Sequence, residues 1–149
     1  MKHKDAVVVL GGGHAIKPGK YSFQLDDGKN IVVTVSKRYT RDRPYWYGLS
    51  PSFLKAMEAN KCSHVAFGMG SSQVALVPSE IVKNYVKYCS VSKYKTQEIH
   101  HYHFFITNSD TPEMYVSQDS PRTPLMEYIT KVKPQVPPLQ VPSNGEPEE

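Results

Sequence analysis

Three of the six histidines in this chain fall within four positions, in the stretch EIHHYHFFI that runs from residue 98 to residue 106. In a β-strand alternate side chains share a face, so His101 and His103 would point to one side with Phe105, and His100 and Tyr102 to the other. An His-x-His pair can direct two ring nitrogens at one metal ion, but the ion needs further ligands. The remaining candidates are His14, His64, Asp110 and Glu113.

Two other interpretations of this strand compete with metal binding. The imidazoles beside Tyr102 could contact phosphates or bases, or they could be half-buried in a sheet and hydrogen-bonded to their neighbours. The cupin type of His-x-His site also needs a glutamate and glycines at spacings that this chain lacks. We therefore predict no bound metal and no cofactor, and we keep His101 and His103 as candidate nucleic-acid contacts.

A metal-dependent nuclease of the PD-(D/E)xK type would use one acid and then an Asp/Glu-x-Lys on a strand, to hold Mg²⁺ and activate water. The chain has one Asp-x-Lys, Asp27-Gly28-Lys29, with Asp5 as the upstream acid. Asp and Gly are also typical of a hairpin turn. On the next strand Val35 stands two residues before Lys37, where an acid would be needed. Nuclease activity is therefore an alternative and not the main hypothesis.

The segment SKRYTRDRPYWYGL, residues 36 to 49, interleaves cations with aromatic rings. Positive charge holds a phosphate backbone, and aromatic faces stack on exposed bases. An aromatic pocket is also what recognition of a flipped or modified base requires. A purely structural alternative is that Tyr45 and Tyr47 fill one face of a sheet while Trp46 covers the other. The candidate nucleic-acid contacts are Lys37, Arg38, Tyr39, Arg41, Arg43, Tyr45, Trp46 and Tyr47.

The charge balance of the chain fits a phosphate-rich partner. Its 149 residues carry a net charge of +4, and three of its fourteen acids lie in the last four residues, so the body is more basic still. No apolar run approaches the roughly 20 residues that span a bilayer. The two cysteines, Cys62 and Cys89, are far apart in sequence and are expected to be reduced thiols of a cytoplasmic protein.

These side chains must be positioned mainly by β-strands. Val7 to Leu10 is a β-branched run before three glycines and is predicted as a first strand. KYSFQL and IVVTV flank Asp27-Gly28 and predict a hairpin. HVAFGM with QVALV, and IHHYHFFI with EMYVS, predict two more strand pairs, and YWYGL predicts a single strand. Ser50-Pro51 begins one predicted helix and Ser79 caps another, while PLMEYI predicts a short last helix.

We therefore expect an α+β fold with a mainly antiparallel sheet that could be barrel-like, two main helices and a disordered C-terminal tail. Residues 1–130 are predicted to form a single domain. From residue 131 the chain reads KVKPQVPPLQVPSNGEPEE, with five of the twelve prolines. Such a segment cannot bury enough apolar area to offset its ordering entropy, so residues 131–149 are predicted to be a flexible tail or linker.

The stretches PYWYGLSPSFLKAM, HVAFGMGSSQVALVPSEIV and IHHYHFFI, in this order, resemble domains attached to prokaryotic restriction and DNA-defence proteins. The similarity extends from residue 21 to residue 129 and lies in the overall pattern, without an invariant motif. Such domains often read DNA for a separate nuclease or motor. The resemblance implies recognition of DNA, including DNA with modified bases, and implies no catalytic residue in this chain.

The main hypothesis is thus a DNA-binding recognition module of a restriction or defence system, which could read a modified or flipped base. Its partners would be DNA and a nuclease or motor domain in the same or another chain, in the cytoplasm and without a membrane. One alternative is a metal-dependent nuclease that uses Asp27 and Lys29, or the His101 and His103 pair. The other is a protein-interaction module that uses the proline-rich tail.

Overall fold

The computed structural model of the protein describes residues 1–36 and 43–131. Within these two segments three α-helices and eleven strands follow one another, with one turn of 3₁₀ helix near the end. In chain order the elements are α1 (His3–Val9), β1 (Gly13–Ala15), β2 (Ser22–Leu25), β3 (Asn30–Val35), β4 (Tyr45–Leu49), α2 (Pro51–Ala59), β5 (His64–Met69), β6 (Gln73–Pro78), α3 (Ser79–Val86), β7 (Val91–Lys93), β8 (Ile99–Ile106), β9 (Glu113–Tyr115), β10 (Thr123–Pro124), the 3₁₀ turn (Met126–Tyr128) and β11 (Ile129–Lys131).

The strands form two sheets. The first has the order β1-β2-β3-β5-β6-β11, and the second has the order β10-β9-β8-β4 with β7 also paired to β8. Among the described strands only β3 and β5 pair in parallel, because β4 and α2 carry the chain across between them. The predicted α+β fold with mainly antiparallel sheets is confirmed, and in the described segments neither sheet closes into a barrel.

The first sheet separates two apolar clusters, because alternate residues of its strands face opposite sides. Ile31 and Val33 of β3 pack with α1, whereas Val32 between them faces the second sheet and helices α2 and α3. The second sheet contributes the inward side chains of β4, β8 and β9 to this larger cluster. They are Tyr47, Leu49, Phe104, Ile106 and Met114.

The first element is a helix, so the prediction of a strand from Val7 to Leu10 is wrong. The backbone N–H of Lys2 donates to the Asp5 carboxylate at 2.8 Å, which caps the first turn. A β-branched residue lowers helix stability by at most about 0.7 kcal/mol relative to alanine. Burial of Ala6 and Val7 against the first sheet outweighs that preference.

The predicted strand pairs and the first predicted helix are confirmed. The strands on either side of Asp27-Gly28 are β2 and β3, and the other two pairs are β5–β6 and β8–β9. Helix α2 begins with Pro51, and the hydroxyl of Ser50 accepts a hydrogen bond from the backbone N–H of Phe53 at 3.1 Å. Local turn and capping chemistry was sufficient to predict these elements.

Two helix boundaries differ from the prediction. Ser79 is the first residue of α3 and not its cap, because Pro78 still pairs with His64 at the end of β6. The predicted last helix is only the 3₁₀ turn Met126–Tyr128, after which β11 pairs with β6. This pairing satisfies backbone groups that a longer helix would have satisfied internally.

Three further expectations concern the whole chain. Cys62 and Cys89 are free thiols, as predicted. No helix in the described part of the chain is long and apolar enough to cross a bilayer. Of the predicted tail, Lys131 ends β11 and the remaining residues lie outside the described segments.

Candidate functional site

Strands β4, β8 and β9 carry aromatic rings on the side of the second sheet that faces away from the core. Trp46 lies directly opposite Phe105, and Phe105 lies opposite Tyr115. The Phe105 and Tyr115 rings stack with their centroids 5.3 Å apart. These three residues are partly buried and belong to neither apolar cluster. The outer side of the second sheet therefore presents a row of rings across three strands.

Two histidines of β8 extend this row. The rings of His103 and His101 meet the Trp46 ring edge-on, at centroid distances of 5.4 and 6.1 Å. The prediction that His101, His103 and Phe105 share one face is therefore confirmed. The opposite face of β8 carries Phe104 and Ile106, which are buried in the core.

His100 also joins the outer face, although it was predicted to point the other way. The pairing of β7 with β8 shifts between Ser92 and Lys93, which makes His100 an extra residue in a β-bulge. Its ring stacks on that of His101 at 3.8 Å, and the Tyr94 ring lies 4.4 Å from it. The alternation rule failed here because it assumes an unbroken ladder. We call the whole surface the ring face: Trp46, Tyr94, His100, His101, His103, Phe105 and Tyr115.

Gly48 allows the centre of the ring face to form. It lies opposite His103 and two residues after Trp46, on the same outer side of β4. A Cβ atom at this position would lie 2.9 Å from Cη2 of Trp46 and 2.9 Å from Cγ of His101. A side chain here would push the two rings away, so their contact requires a residue without a Cβ atom at position 48.

A cleft of about 380 Å³ lies where the ring face meets β3 and the start of α2. This volume is within the usual range for pockets that bind small molecules. Trp46, Gly48 and His101 belong to both the ring face and the cleft. The cleft is also lined by His3, Gly19, Lys20, Tyr21, Ser22 and Phe53.

Ser22 places a buried hydroxyl in the wall of this cleft. Its side chain is 1% exposed, and its Oγ has no hydrogen-bond partner among the described residues. A buried hydroxyl left unpaired costs about 1–3 kcal/mol. A Cβ at Gly19 would lie 2.5 Å from this oxygen, so only a glycine lets the preceding loop pack so closely on it. Native structures contain few such groups, and a site that is completed by a ligand is one physical reason for them.

His3 and Tyr21 bring a second pair of rings to the cleft. They come from α1 and from the residue before β2, and their rings stack at 3.5 Å with only 5° between the planes. Nζ of Lys20 lies 5.4 Å from the centroid of the Tyr21 ring. The cleft therefore combines flat rings, an unpaired hydroxyl and a nearby cation.

The structure brings together three of the predicted contacts, Trp46, His101 and His103. Arg43 is exposed just before β4, and Tyr45 lines a second, more polar hollow of about 460 Å³ formed with the β5–β6 turn and the loop before β9. The predicted contacts Lys37, Arg38, Tyr39 and Arg41 lie outside the described residues.

Tyr47 is a core residue. It is 0% exposed, and its hydroxyl donates to the backbone carbonyl of Gly68 at 2.9 Å. Alternation along β4 turns it inward with Leu49 and turns Trp46 outward. Tyr47 cannot reach a base from this position and is therefore not a candidate nucleic-acid contact.

Several residues of the site were not expected from the sequence, and Tyr115, Arg122, Ser22 and Tyr94 are examples. Tyr115 joins the ring face through its position opposite Phe105, and Arg122 lies 4.1 Å above the Tyr115 ring. The strand prediction over EMYVS contained Tyr115, but its face depends on a register that the sequence does not reveal. No sequence signal distinguishes Ser22 or Tyr94 from other surface serines and tyrosines.

The described residues contain no group of three or more His, Cys, Asp or Glu side chains that could hold a metal ion. Asp27 accepts hydrogen bonds from the backbone N–H and from Nζ of Lys29, at 3.0 and 2.7 Å. These bonds lower the pKa of Asp27, the side-chain bond most strongly. Asp27 and Lys29 therefore stabilise the hairpin turn, and Asp5 caps α1. The described part of the chain gives no support to a metal-dependent nuclease.

Comparisons of the chain with protein-family models, curated proteins and solved structures found no match. The ring face and the cleft are therefore the features from which a function can be inferred.

Proposed function

We propose that this chain is a DNA-binding recognition module and that the ring face is its contact surface for unpaired bases. The observation that supports the proposal best is the row of half-exposed rings that extends from Tyr94 to Tyr115 across β8 and its neighbours. Rings on a β-sheet surface stack on bases, and each stacked base contributes about 1–3 kcal/mol to binding. Imidazole and indole N–H groups are donors of the kind that hydrogen-bonds to bases or phosphates.

The distribution of cations supports the same proposal. Arg122 lies over the Tyr115 ring at one end of the ring face, and Lys20 lies beside the cleft. Arg43 is exposed three residues before Trp46, and Lys37, Arg38 and Arg41 precede it in the sequence. Positive side chains near stacking rings hold the phosphate backbone while the rings contact the bases.

A flat ring face favours unpaired bases over an intact duplex. In a duplex each base face is covered by its neighbours in the stack, so rings reach it only in single strands, at ends or after flipping. A restriction or defence protein that recognises a flipped or modified base would use a surface like the ring face. In that case the partners are cytoplasmic DNA and a nuclease or motor domain in this chain or another one.

The test is fluorescence anisotropy with labelled DNA at low and at physiological salt. The probes are one single strand, its perfect duplex, and duplexes that carry a mismatch or a 5-methylcytosine. We expect binding at low salt, weaker binding at higher salt, and a preference for the single strand or the mismatch over the perfect duplex. Failure to bind any probe at low salt would overturn the proposal, and tighter binding to RNA of the same sequence would contradict the choice of DNA.

A pair of tyrosine variants tests the surface itself. Tyr115→Ala removes a ring-face residue, whereas Tyr88→Ala removes a tyrosine that is 64% exposed and contacts no ring in the described segments. We expect Tyr115→Ala to weaken binding about 5- to 150-fold, as the loss of one stacked base would. Tyr88→Ala should leave affinity within about twofold. Equal losses from the two variants would mean that DNA binds elsewhere.

After Lys131 the proline-rich tail lies outside the described residues. A role in protein interaction therefore remains a prediction from composition.

A further inference from the structure

We propose that the cleft beside Trp46 is the pocket for a single unstacked base and that the Ser22 hydroxyl is the group that hydrogen-bonds the edge of this base. This inference rests on the proposed DNA-binding function and adds a defined ligand class, a planar nitrogen heterocycle on a deoxyribose. It starts from Ser22, because this residue lines the cleft and its buried hydroxyl has no partner among the described residues.

The shape and chemistry of the cleft suit a flat ring. Trp46 and His101 provide ring surfaces from the second sheet, and the stacked His3 and Tyr21 provide another pair. Phe53 adds an apolar contact from the first turn of α2. A heteroaromatic base buries its faces against such rings and still needs hydrogen bonds at its edge.

The hydroxyl of Ser22 can meet that need in either direction. A serine oxygen accepts hydrogen bonds and its hydrogen can rotate to donate one. The edge of every base carries donors, acceptors or both, and a serine can bond to any of them. Lys20, beside the Tyr21 ring, is placed to contact the phosphate of the same nucleotide.

The position of Trp46 makes the pocket directly measurable. Trp46 is the single tryptophan of the chain, and it lines the cleft. Its fluorescence is therefore a site-specific signal for a ligand that enters there. The probes are the four deoxynucleosides and 5-methyl-2′-deoxycytidine, with deoxyribose alone as the ligand that lacks a base.

We expect saturable quenching by at least one deoxynucleoside and none by deoxyribose. Amide signals of Gly48 and Gly19 should shift with the same titration curve in two-dimensional NMR spectra, which separates binding from collisional quenching. Ser22→Ala should weaken nucleoside binding about fivefold or more. The control Ser72→Ala, in the second hollow, should change nucleoside binding less than twofold, on the order of a surface substitution.

Protein stability provides the second measurement for Ser22. If the hydroxyl awaits a ligand, Ser22→Ala removes an unpaired buried group, and the melting temperature should stay the same or rise while binding falls. A lower melting temperature with unchanged nucleoside binding would show that Ser22 is structural and would overturn the inference.

The outcomes separate this inference from the proposed function. If labelled DNA binds but no nucleoside gives saturable quenching and shifts at Gly48, the pocket assignment is wrong while DNA binding stands. If nucleosides bind in a Ser22-dependent way and no DNA binds, the pocket stands and the chain instead recognises free nucleosides. Nucleoside binding with Gly48 and Gly19 unaffected also overturns the inference, because the ligand then occupies another site.

Discussion

The two faces of the second sheet differ sharply although the same strands carry both. The inner side chains of β4 and β8 include Tyr47, Leu49, Phe104 and Ile106, and each of these four is 0% exposed. The outer side chains of the same stretches are Trp46, His101, His103 and Phe105, and each is only partly buried. Neighbouring residues therefore belong to different environments, which follows from the period of two along a strand.

The difference in burial separates the rings that the fold needs for stability from those that it does not. The inner rings fill space between two sheets and would leave a cavity if removed. The outer rings cover a surface that an antiparallel sheet ordinarily gives to polar side chains. Rings exposed side by side contribute less to the core, and a contiguous patch of them is typical of an interaction surface. Substitutions of inner rings should therefore lower stability, and substitutions of outer rings should mainly weaken ligand binding.

The largest expected effect is on stability and uses two adjacent phenylalanines. Phe104→Ala should lower the free energy of unfolding by about 3–5 kcal/mol, because it empties a fully buried site. Phe105→Ala, on the outer face, should lose less, because it removes an aromatic contact with Tyr115 of about 0.5–1.5 kcal/mol and the burial of a ring that is only partly covered. Urea denaturation measures both values. Similar losses at the two positions would break the distinction between the faces.

The next effect is on the labelling rate of the two thiols, which reports whether the core cluster opens to solvent. Burial raises the pKa of Cys62 to about 11 and that of Cys89 to about 12. Both thiols therefore stay protonated at neutral pH, and a thiol reagent should label the native protein about 10²- to 10³-fold more slowly than an exposed cysteine. The rate should rise with pH because only the thiolate reacts, and urea should restore normal labelling. Rapid labelling of the native protein at neutral pH would show that the inner cluster opens.

A smaller effect is expected from Gly48→Ala, which displaces two outer rings without deleting them. Its Cβ would lie 2.9 Å from both Trp46 and His101, so the rings must move apart. We expect DNA affinity to fall about tenfold, a part of the stacking contribution of about 1–3 kcal/mol. In a Trp46→Ala background the same change should cost less than in the wild type, because only the His101 ring remains to be displaced. Additive losses in this double-mutant cycle would contradict the argument.

The smallest effect is expected at the end of the ring face. Arg122→Gln removes the cation above Tyr115, which also lies 4.0 Å from the Glu113 carboxylate. If Arg122 contacts a phosphate, the slope of log affinity against log salt should fall by about one, with a loss of a few-fold at low salt. Arg122→Lys should preserve the slope. An unchanged slope in Arg122→Gln would restrict the DNA contact to the rings nearer Trp46.

Local chemistry made much of the fold predictable. Asp27-Gly28 predicted the first hairpin, and Ser50-Pro51 predicted the start of α2. Period-two alternation correctly grouped His101, His103 and Phe105. These signals act within a few residues, so the rest of the protein did not need to be known.

Other features depended on contacts between distant segments. The helix from His3 to Val9 forms because the first sheet offers an apolar face to cover, which overrides the strand preference of its valines. The bulge at His100 arises from the pairing with β7, and Tyr115 reaches the ring face through its register with β8. The sequence does not reveal these registers, because the connections at residues 94–98 and 107–112 are longer than the two-residue turns that fix a register.

Local sequence alone specifies the alternation of β4, that of β8 from His101 onward, the first hairpin turn, the start of α2, and the basic character of the chain. It does so because side-chain period, turn chemistry and charge are local properties of the polymer. Tertiary packing brings Trp46 and His101 together over Gly48 and buries Tyr47 in the core. It also leaves the buried hydroxyl of Ser22, a cleft residue, without a partner among the described residues. Those facts are distances between parts of the chain that folding brings together, and no local pattern contains them.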